Sequence, residues 1–153
     1  MTLREQFTED LKTAMKARDA ARTSTLRMIL ARLKDTDIAA RPRALSEDEI
    51  VSMLRGMVKS RAESVALYRQ GNRPELAAKE EAEIAVIEGY LPPQMDDAAL
   101  AAAVAAAVAE IVAQTGAAEP KDMGRVMAAL RARHGAALDL GRAGPLVRAR
   151  LAG

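Results

Sequence analysis

Leu3, Phe7, Leu11 and Met15 stand four residues apart, and spacings of three and four govern the apolar residues through most of this 153-residue chain. That period lines side chains along one face of an α-helix. No stretch alternates apolar and polar residues as a half-buried strand would. Half of the residues are hydrophobic, yet aromatics make up only 2%: Phe7, Tyr68 and Tyr90. A core so poor in aromatics is filled by Leu, Ile, Val, Met and Ala, which pack well between helices, whereas strand-rich proteins favour β-branched and aromatic residues. The expected fold class is all-α.

Local signals place the helices. Thr2 and Glu5 form a capping box, as do Ser46 and Glu49, each pair able to satisfy two backbone donors at a helix start. The first helix is expected over about 3–18. Asp19 caps a second that runs to about residue 39, where Arg41 and Pro42 end it. Ser46 opens a third, closed by Gly71, and a fourth spans 74–89 with Pro74 in its first turn. Leu91-Pro92-Pro93 breaks the chain, because two adjacent prolines cannot continue a helix. The domain boundary is therefore set here, dividing the chain into 1–91 and 92–153. Asp96 caps a fifth helix ended by Gly116, Pro120 opens a sixth closed by Gly135, and a last covers about 143–151. Met15, Val112 and Leu146 are expected on buried faces. Met53, Met57, Met123 and Met127 sit on apolar stripes and read as gap-filling core.

The chain has no cysteine, which excludes disulfides, thiol catalysis and cysteine-ligated metals. Residues 1–10 are charged and carry no apolar signal core, and the alanine-rich stretch 100–113 is too short to span a bilayer. A cytoplasmic location without a membrane is expected. No glycine-rich phosphate loop and no Gly-x-Ser-x-Gly elbow occurs. A lone histidine, His134, cannot build a multi-histidine metal site and reads as a helix-end cap. Glu80, Glu81 and Glu83 fan outward on a helix as a solvated face rather than converging on a cation. No catalytic residue, cofactor site or metal ligand is assigned.

The formal net charge is only +2, but its distribution is uneven. From Lys121 onward, Lys121, Arg125, Arg131, Arg133, Arg142, Arg148 and Arg150 face only Asp122 and Asp139, while 75–97 is acidic. A basic end of this kind fits a polyanion; a solvated helical surface is the plainer reading. Within it, Lys121-Asp122-Met123-Gly124-Arg125 puts two bases in the first turns of the sixth helix. Gly124 inside a helix costs about 1 kcal/mol relative to Ala. It permits close approach, either of a neighbouring helix or of a phosphate. Gly141-Arg142 offers a second such position.

Three stretches carry a resemblance. The first is Arg61-Ala62-Glu63-Ser64 with Tyr68, Gly71, residues 73–76 and Lys79-Glu80. The second, 81–95, reads EAEIAVIEGYLPPQM. The third is KDMGRVM at 121–127, followed by LDLGRAGPLVRARL at 138–151. Together they resemble the GatB/YqeY family. The resemblance implies two helical domains, the C-terminal one, 92–153, similar to the tail of the B subunit of the tRNA-dependent amidotransferase. In that enzyme the complex amidates misacylated tRNA with glutamine as nitrogen donor, a carbon–nitrogen ligase activity, and the tail contacts the tRNA. Carried over by position, Lys121, Gly124, Arg125, Arg131, Arg133 and Arg142 form a tRNA-facing surface. The chain is too short for the ATP-binding cradle and shows no amidase Ser–Lys machinery. The expected function is a non-catalytic, tRNA-binding accessory module. One alternative is a protein-interaction adaptor in which Lys12, Lys16, Arg18, Arg22 and Arg27 meet an acidic partner; another is a subunit of an amidotransferase-like complex.

Overall fold

The computed structural model describes residues 1–153, the side chain of Ala136 excepted. It is all helical: α1 (Leu3–Lys16), α2 (Ala20–Ala40), α3 (Glu47–Gln70), α4 (Pro74–Glu88), α5 (Asp97–Thr115), α6 (Met123–His134) and α7 (Leu140–Ala152). Short 3-10 turns at Pro120–Asp122 and Gly135–Ala137 flank α6, and no strand occurs among the described residues. The chain divides into two compact units, Met1–Leu91 and Pro92–Gly153.

Helix starts form where local chemistry satisfies their donors. Thr2 and Ser46 accept from Glu5 and Glu49 backbone N–H groups, and both glutamates reach back to complete their boxes. Asp19 and Asp96 cap α2 and α5 through their side chains. Gly116 ends α5 in the left-handed region at φ 84°, a conformation that only glycine adopts freely.

In the first unit α1 packs on α2 and α3 runs against α4. Phe7, Leu26, Ile29, Ile50, Leu54 and Ile87, drawn from all four helices, are fully buried. In the second unit α5 packs against α6 and α7. Leu100, Val104, Ala107 and Ile111 of α5 meet Val126 and Leu130 of α6 and Val147 and Leu151 of α7. Alanine at the buried positions lets the helix axes approach.

Several expectations are corrected. Met15 is 51% exposed and Ala14 is buried in its place. A strict four-residue stripe drifts around a 3.6-residue helix, so the core face moves back one residue by the last turn. Val112 and Leu146 are likewise exposed. α7 begins at Leu140, upstream of the expected start, because the Asp139 carboxylate accepts from the Gly141 N–H at 2.9 Å. Pro145 thus lies inside the helix, at the loss of one backbone hydrogen bond. α5 reaches 19 residues, long and apolar enough by length and composition to cross a membrane, beyond the shorter stretch read in the sequence. In this fold its apolar face is the core of a three-helix unit.

Candidate functional site

The basic residues singled out in the last third all lie in the second unit, and the fold puts them to different uses. Asp122 is buried and its carboxylate accepts from the Glu119 N–H at 2.8 Å. Lys121 reaches back to Glu119 at 2.9 Å, and that hydrogen bond raises the ammonium's pKa. Two carboxylates therefore already occupy the turn that leads into α6. Asp122, the residue before α6, makes no side-chain capping hydrogen bond to that helix. Gly124 is exposed, and a Cβ placed on it would meet nothing within 4 Å. Of its two readings, packing against a neighbouring helix of this chain is removed.

Arg142 ties the unit together. Its guanidinium donates to the Met95 carbonyl at 2.9 Å and pairs with Asp97 at 2.6 Å, joining the start of α7 to the start of α5. Arg133 is held by Glu110 of α5. Arg125 and Arg131 remain exposed without an ion pair, and so do Arg148 and Arg150 on α7. At roughly 100° per residue, Arg125 and Arg131 each lie about 120° from the centre of the buried Val126–Leu130 face, on opposite sides of it, while Arg133 lies about 40° from it. The six candidates thus do not converge on one point. Two bind neighbouring helices, Lys121 meets a local carboxylate, and the free arginines spread over the outer surface.

A largely buried ion pair that the sequence did not reveal lies in the first unit. Arg61 Nε meets Glu83 at 3.0 Å and Glu80 at 4.0 Å, while its Nη1 donates to the Met57 carbonyl at 3.3 Å. The side chains of Arg61 and Glu83 are only 13% and 12% exposed. The reading of Glu80 and Glu83 as an outward-fanning face is therefore corrected: both turn onto α3. Arg61 and Glu83 lie 22 residues apart, and no local spacing pairs them. Among the described residues no three His, Cys, Asp or Glu side chains group to hold a metal ion.

A family model described as "Yqey-like protein" matches residues 4–151, nearly the whole chain. The chain belongs to the YqeY-like protein family. Similar relatives carry the name "Altered inheritance of mitochondria protein 41, mitochondrial". The protein from Vanderwaltozyma polyspora is 34% identical over 83 residues, covering 54% of this chain and 45% of its own length. That from Lachancea thermotolerans is also 34% identical, over 54% of this chain and 44% of its own. A Saccharomyces cerevisiae relative is 29% identical over 82 residues. This YqeY-like chain spans less than half the length of the curated relatives it matches, and the mitochondrial location in their name is said of those proteins.

Proposed function

We propose that this chain is a non-catalytic accessory module that binds tRNA through the outer surface of α6 and α7, akin to the tail of the amidotransferase B subunit. The observation that carries the reading is an unbalanced charge. Arg125, Arg131, Arg148 and Arg150 are exposed and unpaired, and Asp139, which caps α7, is the only acid from residue 123 onward. Arginines of this kind contact phosphates and hold a folded RNA by shape. The unit has no aromatic residue on which bases could stack, so single-stranded RNA is the poorer ligand. Gly124, open and next to Arg125, leaves room for a phosphate to approach the backbone.

The test is a titration with deacylated tRNA at two salt concentrations. The wild-type protein is compared with the Arg125→Gln/Arg131→Gln/Arg148→Gln/Arg150→Gln variant, which keeps every ion pair of the fold. Binding that weakens steeply with salt and is lost in the variant supports the proposal. Binding retained by the variant, or undiminished up to roughly 0.5 M salt, overturns it. Gly124→Ala adds a finer probe: a better helix former that weakens binding would mark the phosphate approach.

A further inference from the structure

The first unit carries two grooves, of about 590 and 580 Å³, that share Met28. One opens beside the end of α1 and the first half of α2, with Met15, Arg18 and Arg27 along it. The other lies between α2 and α3, bordered by Arg32, Met53 and Gly56. Met15 and Met28 expose 51% and 38% of their surface, although both belong to helices with apolar core faces. Methionine side chains adapt to the shape of what covers them and recur on such binding surfaces. Gly56 sits in the middle of α3, exposed, with nothing within 4 Å of a Cβ built on it. No packing within the chain requires a glycine there, and its bare backbone opens onto the groove.

The charges around the grooves show what they would hold. None of the described residues lining either groove is acidic. Arg18, Arg27 and Arg32 make no ion pair within the chain. Their neighbours differ: Lys12 faces Glu9 and Arg22 faces Asp10, each at 3.8 Å. Lys16, Lys34 and Arg41 are also without an ion pair, so the groove shares the unpaired positive charge of the hairpin and is set apart by methionines with no acid beside them. Arg61, fixed by Glu83, brings its Nη2 to 4.0 Å from the Met28 sulfur and stiffens the floor.

We propose that this groove docks an amphipathic helix of a protein partner, its apolar stripe on Met15, Met28 and Met53 and its flanking carboxylates on Arg18, Arg27 and Arg32. Helix-in-groove recognition takes this form: apolar anchors at helical spacing fill the groove, and rim charges select the partner by sign. The occupant is distinguished from RNA by the methionine floor, which offers a nucleic acid neither phosphate contacts nor a stacking surface.

The probe is a designed helical peptide with a leucine stripe flanked by glutamates, beside a copy with lysines in place of the glutamates. Binding to the full chain is read from the NMR signals of its methionine methyl groups. The acidic peptide is expected to shift Met15, Met28 and Met53, and the basic copy to leave them unmoved. Gly56→Glu, whose Cβ meets nothing within 4 Å, brings a carboxylate to the groove and should weaken the acidic peptide roughly tenfold or more, as like charges meet across an interface. Gly56→Gln separates the steric part of that loss. Arg27→Glu/Arg32→Glu, on exposed positions, should do the same as Gly56→Glu with the fold intact. Equal binding of both peptides overturns the proposal, as does binding that survives both variants or shifts that fall elsewhere. Self-association of the free protein that Gly56→Glu abolishes would assign the groove to a second copy and overturn it too. Displacement of the peptide from the methionines by tRNA would assign it to RNA.

Discussion

The ring of Tyr90 stands edge-on to that of Phe7, their centroids 4.9 Å apart at 81°, and the Tyr90 hydroxyl donates to the Asp10 carboxylate. Tyr90 follows α4 and its two partners lie on α1, so this one side chain closes the first unit from both ends of its sequence. Edge-to-face rings of this kind contribute about 0.5–1.5 kcal/mol beyond their buried area.

Tyr90→Phe keeps the ring pair and removes the hydrogen bond. It should lower the urea unfolding free energy by about 1 kcal/mol, with Tyr90→Ala costing clearly more. Burial, followed by the hydrogen bond to Asp10, pushes the phenol well above its ordinary value of 10. In a Tyr68→Phe background, an ultraviolet titration of the folded protein should show no ionisation near pH 10. Because the folded value is raised, the stabilisation is complete below pH 10 and is lost as pH climbs above it. Ionisation at the ordinary pH would contradict this geometry.

Acid should act through two other carboxylates. The Arg4 guanidinium and the Leu45 N–H hold Asp37 at a pKa of about 2, and Arg43 with the Ser46 N–H hold Glu49 at about 2. Their folded values lie below the unfolded ones, so the stabilisation is present above about pH 4.5 and falls away as the pH drops toward 2. Urea midpoints of the wild type should therefore decline between pH 6 and pH 3. Asp37→Asn and Glu49→Gln should each flatten that decline, and unchanged pH curves would count against the pairs.

Removing one member of the half-buried Arg61–Glu83 pair leaves a poorly hydrated charge behind. Arg61→Met is expected to cost about 2–3 kcal/mol, and Arg61→Met combined with Glu83→Leu less than the sum of the two single changes. A double-mutant cycle in urea measures the coupling. Strict additivity would mean that the pair contributes nothing.

Gly56→Ala tests whether α3 has a free position at its centre. With nothing within 4 Å of the new methyl group, the substitution should raise stability by about 0.5–1 kcal/mol, since alanine is the better helix former. A loss of stability in thermal unfolding would reveal a clash.

Reading the sequence alone located the caps, because a cap joins groups three residues apart: Thr2 with Glu5, Ser46 with Glu49, Asp96 with the Ala99 N–H. Helical spacing likewise announced the all-α class, since the period of apolar residues is a local property of the chain. The basic last third was also visible, because net charge needs only counting. The fate of each charge was not. Arg142 reaches Asp97 across 45 residues, Arg133 reaches Glu110 across 23, and Tyr90 reaches Asp10 across 80. Sequence could not separate Arg125 and Arg131, which stay free, from Arg142, which holds two helices together. The same holds for the methionines: Met15 and Met57 occupy similar stripes, yet packing buries Met57 and leaves Met15 exposed. Residue types and short spacings determined which helices form. Only the tertiary structure decided which side chains those helices use up on one another and which they leave for a partner, because that depends on contacts between residues far apart in the chain.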